Sequence, residues 1–174
     1  MRPGNRRGLA AAGLWGFAEA SVFFIVPDVL LTFLAQTSLR RALLASLAAA
    51  LCASLGGAAV YGFALGSPDT AHAVLLAIPG ISAELIARVA DLLRSGLLQG
   101  LVAGSLSGAP YKIFAVEAAT SGVPLIPFLL ASLPARLLRF LLASLVSWLV
   151  FAKLLSGLAL RTRRLLLAGF WLVF

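Results

Sequence analysis

Histidine and cysteine each occur once in the 174 residues, as His72 and Cys52, and acidic side chains number only six. One imidazole and one thiol cannot assemble the His-rich or Cys-rich sets that hold zinc or iron, and a lone cysteine excludes an internal disulfide. No H-E-x-x-H, G-x-S-x-G or phosphate-binding glycine loop is present, and an aspartyl intramembrane hydrolase would need an aspartate partner for Asp28. We therefore expect no metal, no cofactor and no enzyme activity. Charge is scarce as well: 11% of residues are charged against 61% hydrophobic, and the mean hydropathy is +1.05. Too little polar surface exists to keep such a chain in water, which predicts an integral membrane protein. Backbone polar groups find no water in hydrocarbon, and no barrel-like alternation occurs, so the expected fold is all-α. The length gives one membrane domain over 1–174.

The charge that is present is mostly basic, with a net value of +8. Eight of the fourteen basic residues fall in three clusters: Arg2, Arg6, Arg7; Arg40, Arg41; and Arg161, Arg163, Arg164. Clusters flanking apolar runs are what the positive-inside bias produces, with anionic lipid headgroups as partners and the last cluster cytoplasmic. Nucleic acid is not expected, since no soluble fold carries the basic residues. A basic start followed by A-E-A at 18–20 has the look of a secretory signal, but the apolar run resumes at once.

Along the chain, Leu9 to Ala35 is long enough to span yet holds Glu19, Pro27 and Asp28. Each carboxylate near mid-bilayer costs roughly 2.5–3.5 kcal/mol on insertion scales. Arginines at both ends would also fall on opposite sides of a single crossing. A re-entrant hairpin over 9–37, turning near Val26-Pro27-Asp28, resolves both conflicts. Residues 42–66 carry no charge and form the clearest span, with Ala48, Cys52, Gly56 and Ala49, Ala53, Gly57 placed for close helix approach. Ser67-Pro68-Asp69 is expected to break it and to lead into a loop where His72 is exposed.

Residues 82–95 read as an amphipathic helix at the membrane interface. Ser82 caps it, Gly96 ends it, Ile81 staples to Ile86, and Glu84 pairs with Arg88; a tightly packed loop helix is the alternative. Residues 97–123 read as a second re-entrant hairpin, bent at Gly108-Ala109-Pro110 and broken again between Gly122 and Pro124. A helix and span follow over 125–160, with Arg136 and Arg139 just ahead of the apolar run from Phe140 to Leu160. The run 165–174 is too short to cross and is expected as a partial, cut or frayed helix. Trp15, Trp148 and Trp171 read as interface anchors or packing. Each half thus has a broken, charged apolar element, a pair of arginines and an uninterrupted span, the pattern of an inverted repeat with its substrate site where the broken helices meet.

The charges inside apolar segments are Glu19, Asp28, Lys112 and Glu117, with Arg136 and Arg139 near the boundary. Such groups are functional candidates because desolvation demands partners. An acidic first hairpin meeting a basic second half would form a charged cluster able to exchange protons or hold an anion. Arg and Lys suit a phosphate, and Glu19 or Asp28 suits a proton or cation. Neutralising ion pairs that merely hold the hairpins together are the alternative, and for Glu117 a pair with Lys112 is as well supported as a substrate- or proton-binding role.

The segment A-E-A-S-V-F-F-I-V-P-D-V-L-L at 18–31 resembles the first re-entrant motif of the DedA, or VTT-domain (SNARE-associated Golgi protein-like), membrane proteins. G-G-A-A-V-Y-G-F-A-L-G at 56–66 resembles the helix that follows it. A-P-Y-K-I-F-A-V-E-A-A and P-F-L-L-A-S-L-P-A-R-L-L-R-F are similar to the second half of the small YqaA-type branch. The resemblance covers roughly residues 8–160. It implies two facing re-entrant hairpins, a bacterial inner membrane, and movement of phospholipid or polyprenyl-phosphate headgroups between leaflets, with proton coupling as an option. By motif position it assigns Glu19 and Asp28 to an acidic pair, Lys112 to a basic position, and Arg136 and Arg139 to a basic pair. Pro27, Gly56, Gly57, Pro110 and Tyr111 are its structural residues. Ser-Pro-Asp follows Gly66 where the family carries a basic residue, and the Gly-Arg-Phe before the second loop is absent. A proton-coupled solute or ion transporter, and a structural or assembly factor, are the competing readings; a homo-oligomer is left open.

Overall fold

The computed structural model describes residues 3–23 and 25–173, with side chains from Gly8 onward, so of the expected cluster Arg2 and the side chains of Arg6 and Arg7 lie outside the described residues, as does the terminal Phe174. The described chain is helical throughout: α1 (Pro3–Ser21), α2 (Asp28–Ala35), α3 (Leu39–Gly66), α4 (Pro68–Leu76), α5 (Ala83–Ser95), α6 (Leu97–Ser107), α7 (Tyr111–Thr120), α8 (Leu125–Ser147) and α9 (Leu160–Val173). A π-helical turn, Trp148–Leu154, extends α8.

The breaks fall where local chemistry places them. Ser38 opens α3, its hydroxyl accepting from the Arg41 amide, and Ser82 does the same for α5 with Leu85. Gly108 ends α6 at φ 84°, a left-handed value that a side chain rarely adopts, and Gly122 ends the turn after α7 at φ 78°. Pro110 and Pro124 then precede α7 and α8 in extended conformation, as residues that cannot donate to a preceding turn.

The two long helices, 28 residues in α3 and 30 from Leu125 to Leu154, are long and apolar enough to cross a membrane. At 1.5 Å per residue each exceeds the ~30 Å of a bilayer core. On α3 the small residues Ala42, Ala45, Ala49, Ala53 and Gly57 are buried, whereas Leu43, Leu47, Leu51 and Leu55 are exposed at every fourth position. The small face admits close neighbours: a Cβ at Gly56 would stand 2.6 Å from the Phe17 carbonyl oxygen of α1, and one at Gly57 would enter the Tyr111 ring of α7.

Packing is reciprocal between the halves. Within each half the first broken helix lies on the long helix, α1 on α3 and α6 on α8; across halves, α7 lies on α3 and α2 on α8, while α3 and α8 pack on each other. Exchanging α1, α2, α3 for α6, α7, α8 therefore maps one set of contacts onto the other.

Several expectations change. The segment after Gly66 is a helix, because Pro68 at the first helical position, with Asp69 behind it, starts a helix as readily as it ends one. In α5 the ion pair is Arg94 with Asp91, 2.6 Å, and not Glu84 with Arg88. Its apolar side, with Val89 fully buried, packs on α6 and α7, and the rest of the helix is largely exposed. Arg136 and Arg139 lie in the middle of α8 instead of ahead of a span, and that helix stops at Leu154, short of residue 160. The last run begins at Leu160 and is docked: Leu167 is buried, the Trp171 indole donates to Thr32 Oγ1 (3.0 Å), and Gln36 Nε2 donates to the Arg163 carbonyl.

Candidate functional site

The charges of the first half meet those of the second at the junction of α1, α2, α7 and α8. Glu19, near the end of α1, pairs with Arg136. Asp28, the first residue of α2, receives both Nε (2.9 Å) and Nη2 (2.7 Å) of Arg139 on a single oxygen, Oδ2. Arg139 also donates Nη1 to the Ser105 carbonyl of α6, 3.0 Å, so one side chain ties three elements. All of Glu19, Asp28, Lys112 and Arg136 are buried. Ionised groups so placed are tolerable only with such partners.

Arg136 closes an aromatic column. Tyr61 stacks on Phe128 (6.0 Å between centroids), Phe128 on Tyr111 (5.7 Å), and the guanidinium lies 4.4 Å above the Tyr111 ring with Phe140 at 5.2 Å. The planar cation thus trades water for π faces and a carboxylate, a role lysine could not fill. Tyr61 anchors the far end by donating to the Val123 carbonyl, 2.7 Å. The column explains why Gly57 must be glycine: α3 approaches until it touches Tyr111.

Lys112, in the first turn of α7, is different. Its ammonium donates to the Phe23 carbonyl at 2.7 Å, bridging the two broken elements, and among the described residues no carboxylate lies within ion-pair distance of it. It faces a cleft of about 170 Å³ that Glu19, Arg139, Ala109, Pro110 and the segment Ile78–Ile81 also line. The five central charges leave one positive charge uncompensated. A partly enclosed, net-positive cleft of that size suits a phosphate-sized anion better than a drug-sized molecule, whose sites run to roughly 300 Å³ and more.

Glu117 stands apart from this cluster. It accepts from or donates to His72 Nε2 at 2.7 Å, so neither the expected Lys112 pairing nor the exposed loop histidine is found. Positions five apart lie about 140° round a helix, which turns Lys112 and Glu117 to different faces of α7. His72 and the cleft wall Ile78–Ile81 carried no signal in the sequence beyond their type. Among the described residues no group of three or more His, Cys, Asp or Glu side chains could hold a metal.

The chain is 31% identical over 135 residues to an uncharacterized protein of Haemophilus influenzae, a match covering 76% of this chain and 68% of that one. No family model and no solved structure matches it. At that identity and coverage, this chain and the Haemophilus influenzae protein belong to one family.

Proposed function

We propose that this member of the Haemophilus influenzae protein's family is a multi-pass protein of a bacterial inner membrane that moves anionic lipid headgroups between leaflets. The membrane reading rests on the outer surface. The spanning windows of α3 and the extended α8 are only 39% and 17% buried, less than a core helix of a soluble protein would be, which supports the membrane reading, and the leucines they expose are unfavourable in water. In lipid the same stripes are favourable, and the broken elements α1 to α2 and α6 to α7 act as re-entrant hairpins whose irregular backbone is sheltered by protein. The resemblance to the DedA/VTT family supports that arrangement and the lipid substrate.

Lys112 carries the reading. A buried ammonium with no carboxylate at ion-pair distance, facing a cleft that Glu19 and Arg139 also line, favours an anion, and a phosphate diester supplies one on a molecule that already resides in the bilayer. The tail would stay outside a cleft this small. The charged cleft serves as the station where a headgroup is desolvated and exchanged, and no covalent step is needed. Reconstitution in liposomes tests this: protein-dependent movement of a labelled anionic phospholipid across the bilayer is expected, with a cationic lipid moved poorly. Equal movement of both, or movement no faster than in empty vesicles, would overturn it.

A further inference from the structure

The pairing of His72 with Glu117 fixes where a proton must be. His72 Nδ1 lies 3.0 Å from the Pro68 carbonyl oxygen, which can only accept, so Nδ1 carries hydrogen. Nε2 lies 2.7 Å from Glu117 Oε1. An imidazole protonated at Nδ1 alone would turn a lone pair onto a carboxylate, and at that distance the contact requires one more proton, on Nε2 or on Oε1. The contact therefore holds a proton shared between the two side chains.

The position of this pair gives the proton a consequence. His72 is on α4 and Glu117 on α7, which packs on α3 and carries Lys112 at its other end. Immediately after α4 the chain runs through Ile78, Pro79, Gly80 and Ile81, one wall of the cleft that Lys112 faces. We propose that His72 and Glu117 form a proton-binding site that latches α4, and with it the cleft wall, to α7. The regulated cleft is the one proposed above and the inference rests on that reading for its purpose; the proton site itself does not.

The groups around His72 agree. On its own helix Asp69 adds negative charge; from α7 the facing group is Glu117; α3 offers Tyr61, whose hydroxyl is committed to Val123, and its arginines Arg40 and Arg41 are at the opposite end. Burial pushes the imidazole down, but the hydrogen bonds to Glu117 and Pro68 and the charges of Glu117 and Asp69 outweigh it and hold His72 above its ordinary value of 6.5. A raised folded value means that the latch is fully present below pH 6.5 and is lost as pH rises through the folded value.

As the single histidine of the chain, His72 gives unambiguous imidazole signals. A long-range proton–nitrogen NMR titration of the full chain in lipid nanodiscs should show an apparent value above 6.5 and the Nδ1–H tautomer once neutral. In Glu117→Gln the value should fall, as loss of a contacting opposite charge predicts. Backbone amides of Ile78, Gly80 and Ile81 should titrate with the His72 midpoint and become flat in His72→Gln. A wild-type value at or below 6.5, a neutral Nε2–H tautomer, or amides unresponsive at that midpoint would overturn the proposal, whatever the lipid assay shows.

Discussion

Arg136→Met is expected to destabilise the folded protein by about 3–5 kcal/mol, because it leaves Glu19 as a buried charge without a partner. For a chain of this size that corresponds to a fall in Tm of roughly 6–20 °C. The guanidinium is held by Glu19 through Nη2 and lies over the Tyr111 ring with Phe140 close by, while its Nε finds no hydrogen-bond partner among the described residues. Methionine can fill the space between the rings but returns nothing to the carboxylate. The double variant Glu19→Met, Arg136→Met should recover most of the loss, since two apolar groups in place of a buried pair are often neutral. Thermal loss of monodisperse protein in detergent reads both. If the single and double variants fell equally, the ion pair would not be what fastens α1 to α8.

Lys112→Ala is expected to do the converse, sparing the fold and removing transport. One charge-assisted hydrogen bond to an anion contributes about 1.5–3 kcal/mol, so the flux of an anionic phospholipid should drop about 10- to 100-fold. The loss of the Phe23 carbonyl contact is offset by removing an unpaired cation from a net-positive cluster, which leaves Tm roughly unchanged. Lys112→Arg, which keeps the charge, should recover part of the flux. Full transport by the alanine variant would exclude Lys112 from headgroup binding, and a large fall in Tm would mark it as structural.

Chain-local chemistry made the breaks readable. Ser38, Ser82, Gly108, Pro110, Gly122 and Pro124 each act within a turn of where they stand, and the helices begin and end beside them. That the acidic groups of the first half would meet basic groups of the second also followed from the sequence, because desolvation allows few alternatives. Which carboxylate meets which arginine did not follow. That register depends on how far α1 and α2 slide along α3 and α8, and close approaches at Gly56 and Gly57 set it.

Long-range contacts carry no such local signal. Arg136 and Arg139 stand in mid-helix because partners on α1, α2 and α6 make those positions tenable. His72 read as an exposed loop residue because Pro68 resembles a breaker. Its partner is 45 positions away, a distance over which composition carries no signal. Lys112 and Glu117 are near in sequence, yet the helical wheel turns them to different faces of α7.

The central claim is that an anionic headgroup enters the cleft between the broken helices. An anionic phospholipid bearing a photoreactive group beside its phosphate, incorporated with the full chain in liposomes and mapped by mass spectrometry, tests it most directly. Adducts are predicted on cleft residues such as Ala109, Pro110 and Ile81, and their loss in Lys112→Ala. Adducts confined to the outward stripe of Leu43, Leu47, Leu51 and Leu55, and unchanged by that substitution, would contradict it.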